Sequence, residues 1–223
     1  LPETLRRKVE VTHMPSEQSS DSKFEIGHVL FIDIVGYSKL LIEEQKESLG
    51  QLTKIVLGTA QVRDSSDEQL VRLPTGDGMA LVFRQSAEEP ARCALEIAEA
   101  LRKHPEILVR MGIHSGPVSE VTDVSGRSNL AGAGINMAQR VMDCGDAGHI
   151  LLSQHVADDL IHSRQWAPRL RDLAVIGQLT GRQLESKVVQ VSAGRHQLRQ
   201  QLLVGQLASL TDVHHRLLRE PGT

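Results

Sequence analysis

The run HVLFIDI, residues 28–34, constrains the fold more than any other stretch of the chain. It is short and almost wholly apolar, the pattern of a strand whose side chains are buried on both faces. Such a strand needs cover on both sides, so the chain must supply packing layers around a sheet. The single acid in the run, Asp33, closes it, and Gly36, Tyr37 and Ser38 follow at once. One reading of Asp33 is a cap, satisfying orphan N–H groups at the start of a helix. The other is a cation ligand at the carboxyl end of a strand, and the rest of the chain must decide between them.

Downstream, Ser38 to about Arg63 has helical spacing, with Leu40, Leu41, Leu49, Leu52, Ile55 and Val56 as its apolar stripe. LVRLPTGDGMALVF, residues 70–83, predicts two strands around a tight turn. An amphipathic helix is expected from Ala87 to Lys103, a strand within 105–118, and a polar loop over 119–129. A helix from about Ala131 to Cys144 precedes the strand HILLS (149–153), the short helix QHVADDLI and a closing hairpin over 171–191. The expected class is α+β, a mixed, mainly antiparallel sheet flanked by helices. Residues 1–25 are polar and aperiodic and read as a mobile arm or linker, leaving 26–193 as the domain. Residues 194–223 read as a helical tail, with Leu198, Leu202, Leu203, Leu207 and Leu210 at helical spacing.

Composition removes several functions. Aromatic residues are only 2% of the chain, too few for base-stacking platforms, and a net charge of −3 gives no general attraction to nucleic acid or anionic membranes. No apolar stretch reaches the 18 or so residues of a membrane span. Cys93 and Cys144 fall in segments read as helical and lack metal-ligand spacing, which suits reduced core thiols in a cytoplasmic protein. The chain begins at Leu1 rather than Met, as a fragment or a processed product would.

Several constellations fail. GIHSGP is not a nucleophile elbow, and its adjacent serine and histidine would point to opposite faces of a strand. AGAGIN lacks the third glycine of a dinucleotide loop, and no Walker lysine motif occurs. His214 and His215 have no cysteine or acidic partner at ligand spacing.

One constellation survives. Asp77 sits in the turn TGDG, and if its strands neighbour the one ending at Asp33, both carboxylates project from the same edge. Hard divalent cations want such oxygens, and Mg²⁺ or Mn²⁺ held there could carry a phosphate ligand facing the amides of Gly36, Tyr37 and Ser38. Asn136 and Arg140 are four residues apart on one helix face. An amide and a guanidinium so placed can orient a hydroxyl and stabilise charge on phosphoryl oxygens.

FIDIVGYSKL, RLPTGDGMALVF, RMGIHSGPV and AGAGINMAQRVMDCGDAGHILLS together resemble the catalytic domain of the class III nucleotide cyclases. The resemblance runs from about His28 to Val191. It implies a ferredoxin-like core and two divalent cations held by Asp33, Asp77 and the Ile34 carbonyl. It makes Asn136 the ribose-positioning residue and Arg140 the residue that stabilises the transition state. The implied reaction is attack of the ribose 3′-hydroxyl on the α-phosphorus of a nucleoside triphosphate, releasing pyrophosphate. It also implies a homodimer with shared sites, the aspartates coming from one chain and Asn136 and Arg140 from the other.

The chain departs from the family in its base-reading positions. Where the family's adenylate cyclases carry a lysine and an acid or threonine, this chain has Leu73 and Asn129. Arg72 adjoins the first slot but belongs to the opposite strand face. The family's phosphate-binding lysine has no counterpart, since Thr180 stands there, which leaves Arg182 or Lys187 as the candidates to replace it. Three accounts follow: a pyrimidine cyclase, UTP ahead of CTP, with Tyr37 filling space beside the smaller base; an adenylate cyclase with relaxed base reading; or a non-catalytic dimerising or nucleotide-sensing module. The first also resembles the pyrimidine cyclases of bacterial anti-phage signalling, whose product activates a separate effector.

Overall fold

In the computed structural model, residues 24–122, 126, 128–172 and 188–191 are described. The chain opens with strand β1 (Glu25–Ile34), followed by helices α1 (Ile42–Gly58) and α2 (Ala60–Arg63). Strands β2 (Leu70–Pro74) and β3 (Gly78–Phe83) form the hairpin expected around TGDG. Helix α3 (Glu88–Leu101) leads into the long strand β4 (Val109–Thr122), which β5 (Ser128–Ala131) folds back upon. Helix α4 (Ala133–Met142), strand β6 (Ile150–Ser153) and helix α5 (Gln154–Ile161) follow. Strands β7 (Leu170–Asp172) and β8 (Val188–Val191) pair antiparallel at the end of the described chain.

The sheet order is β2-β3-β1-β4-β6-β8-β7, with β5 paired to β4 off this path. Every pairing is antiparallel except that of β4 with β6. A parallel pair needs a crossover, and α4 provides it. The α+β class read from the sequence is therefore the architecture observed.

β1 is central and buried on both faces, as its composition demands. Leu30, Ile32 and Ile34 enter a large core beneath α1, α2, α3 and α5. Val29 and Phe31 enter a smaller one with Ala80, Val82, Val118 and Leu130, closed by Ala138 and Met142 of α4. By strand alternation Asp33 opens toward the α4 side.

Three local expectations change. The helix expected over 38–63 is divided: Tyr37–Lys39 is a single 3-10 turn, α1 begins only at Ile42, and Thr59 breaks the helix after Gly58. Gln45 explains the first break, because its Nε2 donates to the carbonyls of both Tyr37 and Leu40. Buried Thr59 explains the second, with extended backbone and a hydroxyl that donates to the Val56 carbonyl at 2.8 Å. Leu41 of the expected stripe is consequently 68% exposed, while Leu52 and Val56 are buried. Within the polar loop expected over 119–129, residues 119–122 are instead the end of β4 and 128–129 the start of β5, a ribbon from which, among the described residues, only Leu130 enters the core. Of the two thiols, Cys93 is buried, and burial pushes it up to about 12. Cys144 lies half-buried in the turn beyond α4. The expected arm, apart from Phe24 and Glu25, and the helical tail lie outside the described residues.

Gly112 sets how closely α4 approaches the sheet. A Cβ there would lie 2.4 Å from the Met142 nitrogen and 2.5 Å from the Ala138 carbonyl oxygen. Backbone atoms cannot yield as a flexible side chain can, so Gly112→Ala is expected to lower stability by about 1–3 kcal/mol, the usual cost of overpacking. Urea denaturation measures this; an unchanged midpoint would mean that α4 shifts freely.

Candidate active site

Register brings the two carboxylates together. In the β1–β3 ladder Asp33 stands opposite Gly78, and the Ile34 N–H donates to the Asp77 carbonyl at 3.1 Å. The turn is held by the Thr75 N–H donating to Gly78, and Gly76 takes φ 95°, a backbone region that favours glycine. Gly78 is required by proximity, because a Cβ there would lie 1.9 Å from the Ile32 carbonyl oxygen. A larger residue would push the Asp77 turn away from the end of β1. Ile34, whose carbonyl is the third oxygen the resemblance implies, ends that strand.

Asp33 is 7% exposed. Its Oδ2 accepts two hydrogen bonds from Arg110, Nε at 3.0 Å and Nη2 at 2.8 Å. Its Oδ1 is buried and has no hydrogen-bond partner. Burial pushes the Asp33 carboxyl above the usual range; Arg110 opposes the rise, and neighbouring Asp77 adds to it. The Arg110 Nη2 also lies 3.2 Å from the Asp143 carboxylate at the end of α4.

This arrangement fits a hard divalent cation. A buried, unpaired carboxylate oxygen beside a second, half-buried carboxylate is costly alone and is satisfied by a cation. No group of three or more His, Cys, Asp or Glu side chains among the described residues could form a metal cage. Two carboxylates suit a cation that completes its shell with other oxygens, from water or phosphate, as Mg²⁺ does.

Gly36, with φ 77°, opens the 3-10 turn after β1. Its N–H and those of Tyr37 and Ser38 have no acceptor among the described residues, which leaves them available to an anion. The Tyr37 ring packs against the large core, the face opposite Leu73. This corrects the expectation that it fills a base pocket: the left-handed turn at Gly36 carries the ring to the α1 side.

Leu73 packs against the smaller core on the α4 side, level with Ala80. Arg72 faces the other way, donating to Asp67 and to the Val62 carbonyl. On β5, Leu130 points into the core and Asn129 away from it. The Asn129 Oδ1 accepts the Leu130 N–H at 2.8 Å, so its NH₂ is the more available half.

Asn136 and Arg140 are exposed, on the side of α4 opposite buried Gly134, Ala138 and Val141. Neither side chain hydrogen-bonds or ion-pairs with Asp33 or Asp77. The single chain thus joins the aspartates to each other but not to the α4 pair. Thr180, Arg182 and Lys187 lie outside the described residues.

Sequence reasoning missed Arg110 and Asp143. The usable signal was an arginine opening the strand in RMGIHSGPV; set antiparallel beside β1, it falls opposite the acid that closes HVLFIDI.

Residues 20–183 match the model of the adenylate and guanylate cyclase catalytic domain. A putative adenylate cyclase 3 from Rhizobium meliloti (strain 1021) is 29% identical over 146 residues, 62% of this chain and 24% of that protein. The chain thus spans about a quarter of that relative's length. Among solved structures, the guanylate cyclase domain of RhGC from Catenaria anguillulae in complex with GTP superposes with a TM-score of 0.61 at 21% identity, covering 78% of this chain and 100% of that one. The adenylyl cyclase CyaB from P. aeruginosa gives 0.56 at 22% identity, covering 78% and 96%. A non-canonical dimeric guanylyl cyclase domain of the RhoGC fusion protein from Blastocladiella emersonii gives 0.59 at 21%, covering 76% and 95%. At these identities the structural likeness is one of fold. Among the described residues no helix is long and apolar enough to cross a membrane.

Proposed function

The chain belongs to the adenylate and guanylate cyclase catalytic domain family, and from that premise we propose that it converts a nucleoside triphosphate, UTP first, to a 3′,5′-cyclic nucleotide and pyrophosphate. The observation that carries the reading is the pair of aspartates at one sheet edge, with a buried Asp33 oxygen left unpaired. Residues 26–193 form the catalytic domain in this reading, between an arm and a tail.

Asp33 and Asp77, with the Ile34 carbonyl, hold two divalent cations, Mg²⁺ or Mn²⁺. When bound, such cations lower the pKa of the 3′-hydroxyl and neutralise the leaving pyrophosphate. The amides of Gly36, Tyr37 and Ser38 take phosphate oxygens. Asn136 orients the ribose so that its 3′-oxygen lies in line with the α-phosphorus. Arg140 holds the charge that develops on the α-phosphoryl oxygens. The new 3′-O–P bond replaces the bond to pyrophosphate, and the hydroxyl proton leaves to solvent.

Because Asn136 and Arg140 face outward on α4, a twofold homodimer is the natural way to bring them over a partner's aspartates.

The base follows from Leu73 and Asn129. Leucine makes no hydrogen bond to a purine, and the loss of polar pairing removes discrimination of about 10⁴ that shape cannot replace. The Asn129 NH₂ complements the O4 acceptor of uracil, with cytosine N3 the next choice. Cyclic UMP would then act on a separate effector in anti-phage signalling. Cyclic AMP is the second reading, favoured by the likeness to the Rhizobium protein. With Mn²⁺ and each of the four triphosphates, kcat/KM is expected to be highest for UTP; a clear preference for ATP or GTP overturns the pyrimidine assignment.

A further inference from the structure

We infer that Arg110 is a positioning residue for the cation carboxylates, an inference that rests on the two-aspartate reading above. The torsion that orients a carboxylate is broad and roughly twofold, so an unrestrained Asp33 would present either oxygen to the edge. Arg110 removes that freedom. Both of its bonds, from Nε and Nη2, converge on Oδ2, which leaves Oδ1 as the oxygen turned to a cation.

The guanidinium is itself braced. Its Nη2 is shared with Asp143, which caps the C-terminal end of α4, so the arginine is tied to two elements at once. Arg110 stands directly opposite Asp33 in the β1–β4 ladder, a placement that the sheet register fixes rather than side-chain flexibility. The braced guanidinium and the cation thus use different oxygens of one carboxylate. Hydrogen bonds of this kind to a ligating carboxylate typically carry about 10–100-fold in metal affinity. Lysine would keep the charge but offers a compact point donor in place of the planar fork.

The test is Mn²⁺ binding to the full chain without nucleotide, read by electron paramagnetic resonance, with circular dichroism to verify the fold. Arg110→Met is expected to bind Mn²⁺ about 10–100-fold more weakly than wild type, and Arg110→Lys to fall between them. Unchanged binding in both variants overturns the inference. So does tighter binding in Arg110→Met, the result if the guanidinium merely competed with the cation. Should Arg110→Met not fold, wild-type binding by Arg110→Lys alone overturns it. Asp33→Asn separates the two readings: if it keeps wild-type Mn²⁺ binding, the cation site fails and the role of Arg110 with it. If it loses Mn²⁺ while the Arg110 variants keep it, only the role of Arg110 fails.

Discussion

Asp33→Asn is expected to reduce turnover to no more than a few per cent of wild type while the chain stays folded. The amide is nearly isosteric with the carboxylate, so the packing around a 7%-exposed side chain is preserved. It cannot serve as an anionic ligand, and the oxygen with no hydrogen-bond partner is the one that changes character. Burial already disfavours the charged form of Asp33, so removing the charge spares a desolvation cost and leaves thermal stability within a few degrees. Arg110 retains Asp143 as a partner. Asp77→Asn is expected to act in the same way from the other side of the edge. Product formation with Mn²⁺, measured beside the melting temperature, checks both. Appreciable activity in either variant would undo the assignment of the pair.

How much of this site was legible in the sequence depends on the range of the interaction. Asp33 and Asp77 each announced themselves locally, one closing an apolar strand and the other centred in a glycine turn. That their strands neighbour one another was conditional until the register set Asp33 opposite Gly78. The α+β class followed from the alternation of apolar strands with amphipathic helices, since each period requires its own packing partner. The break at Thr59 could not be read, because helical spacing continues through it and the break depends on a buried hydroxyl. The β4–β5 ribbon looked like a loop for the converse reason. Its residues are polar because it projects beyond the core, and apolar alternation marks only strands that bury a face. Arg110 stayed hidden because a cross-strand ion pair has no local signature, and its partner lies 77 residues away.

Arg140→Ala is expected to lower kcat by about 10²–10³, the usual loss when one preorganised donor to a developing oxyanion is removed. Its position makes the result diagnostic. Arg140 is exposed and forms no ion pair among the described residues, so the truncation removes little from the fold of the single chain. If Arg140 acts on a partner's site, it should complement Asp33→Ala in a mixture. Random exchange makes half of the dimers mixed. Each mixed dimer has one site carrying both substitutions and one carrying neither, so activity should return to about a quarter of wild type. Mass spectrometry can show that the subunits have exchanged. Exchange without recovered activity would place Arg140 and Asp33 in the same chain's site, where α4 would have to turn its exposed face toward its own sheet edge.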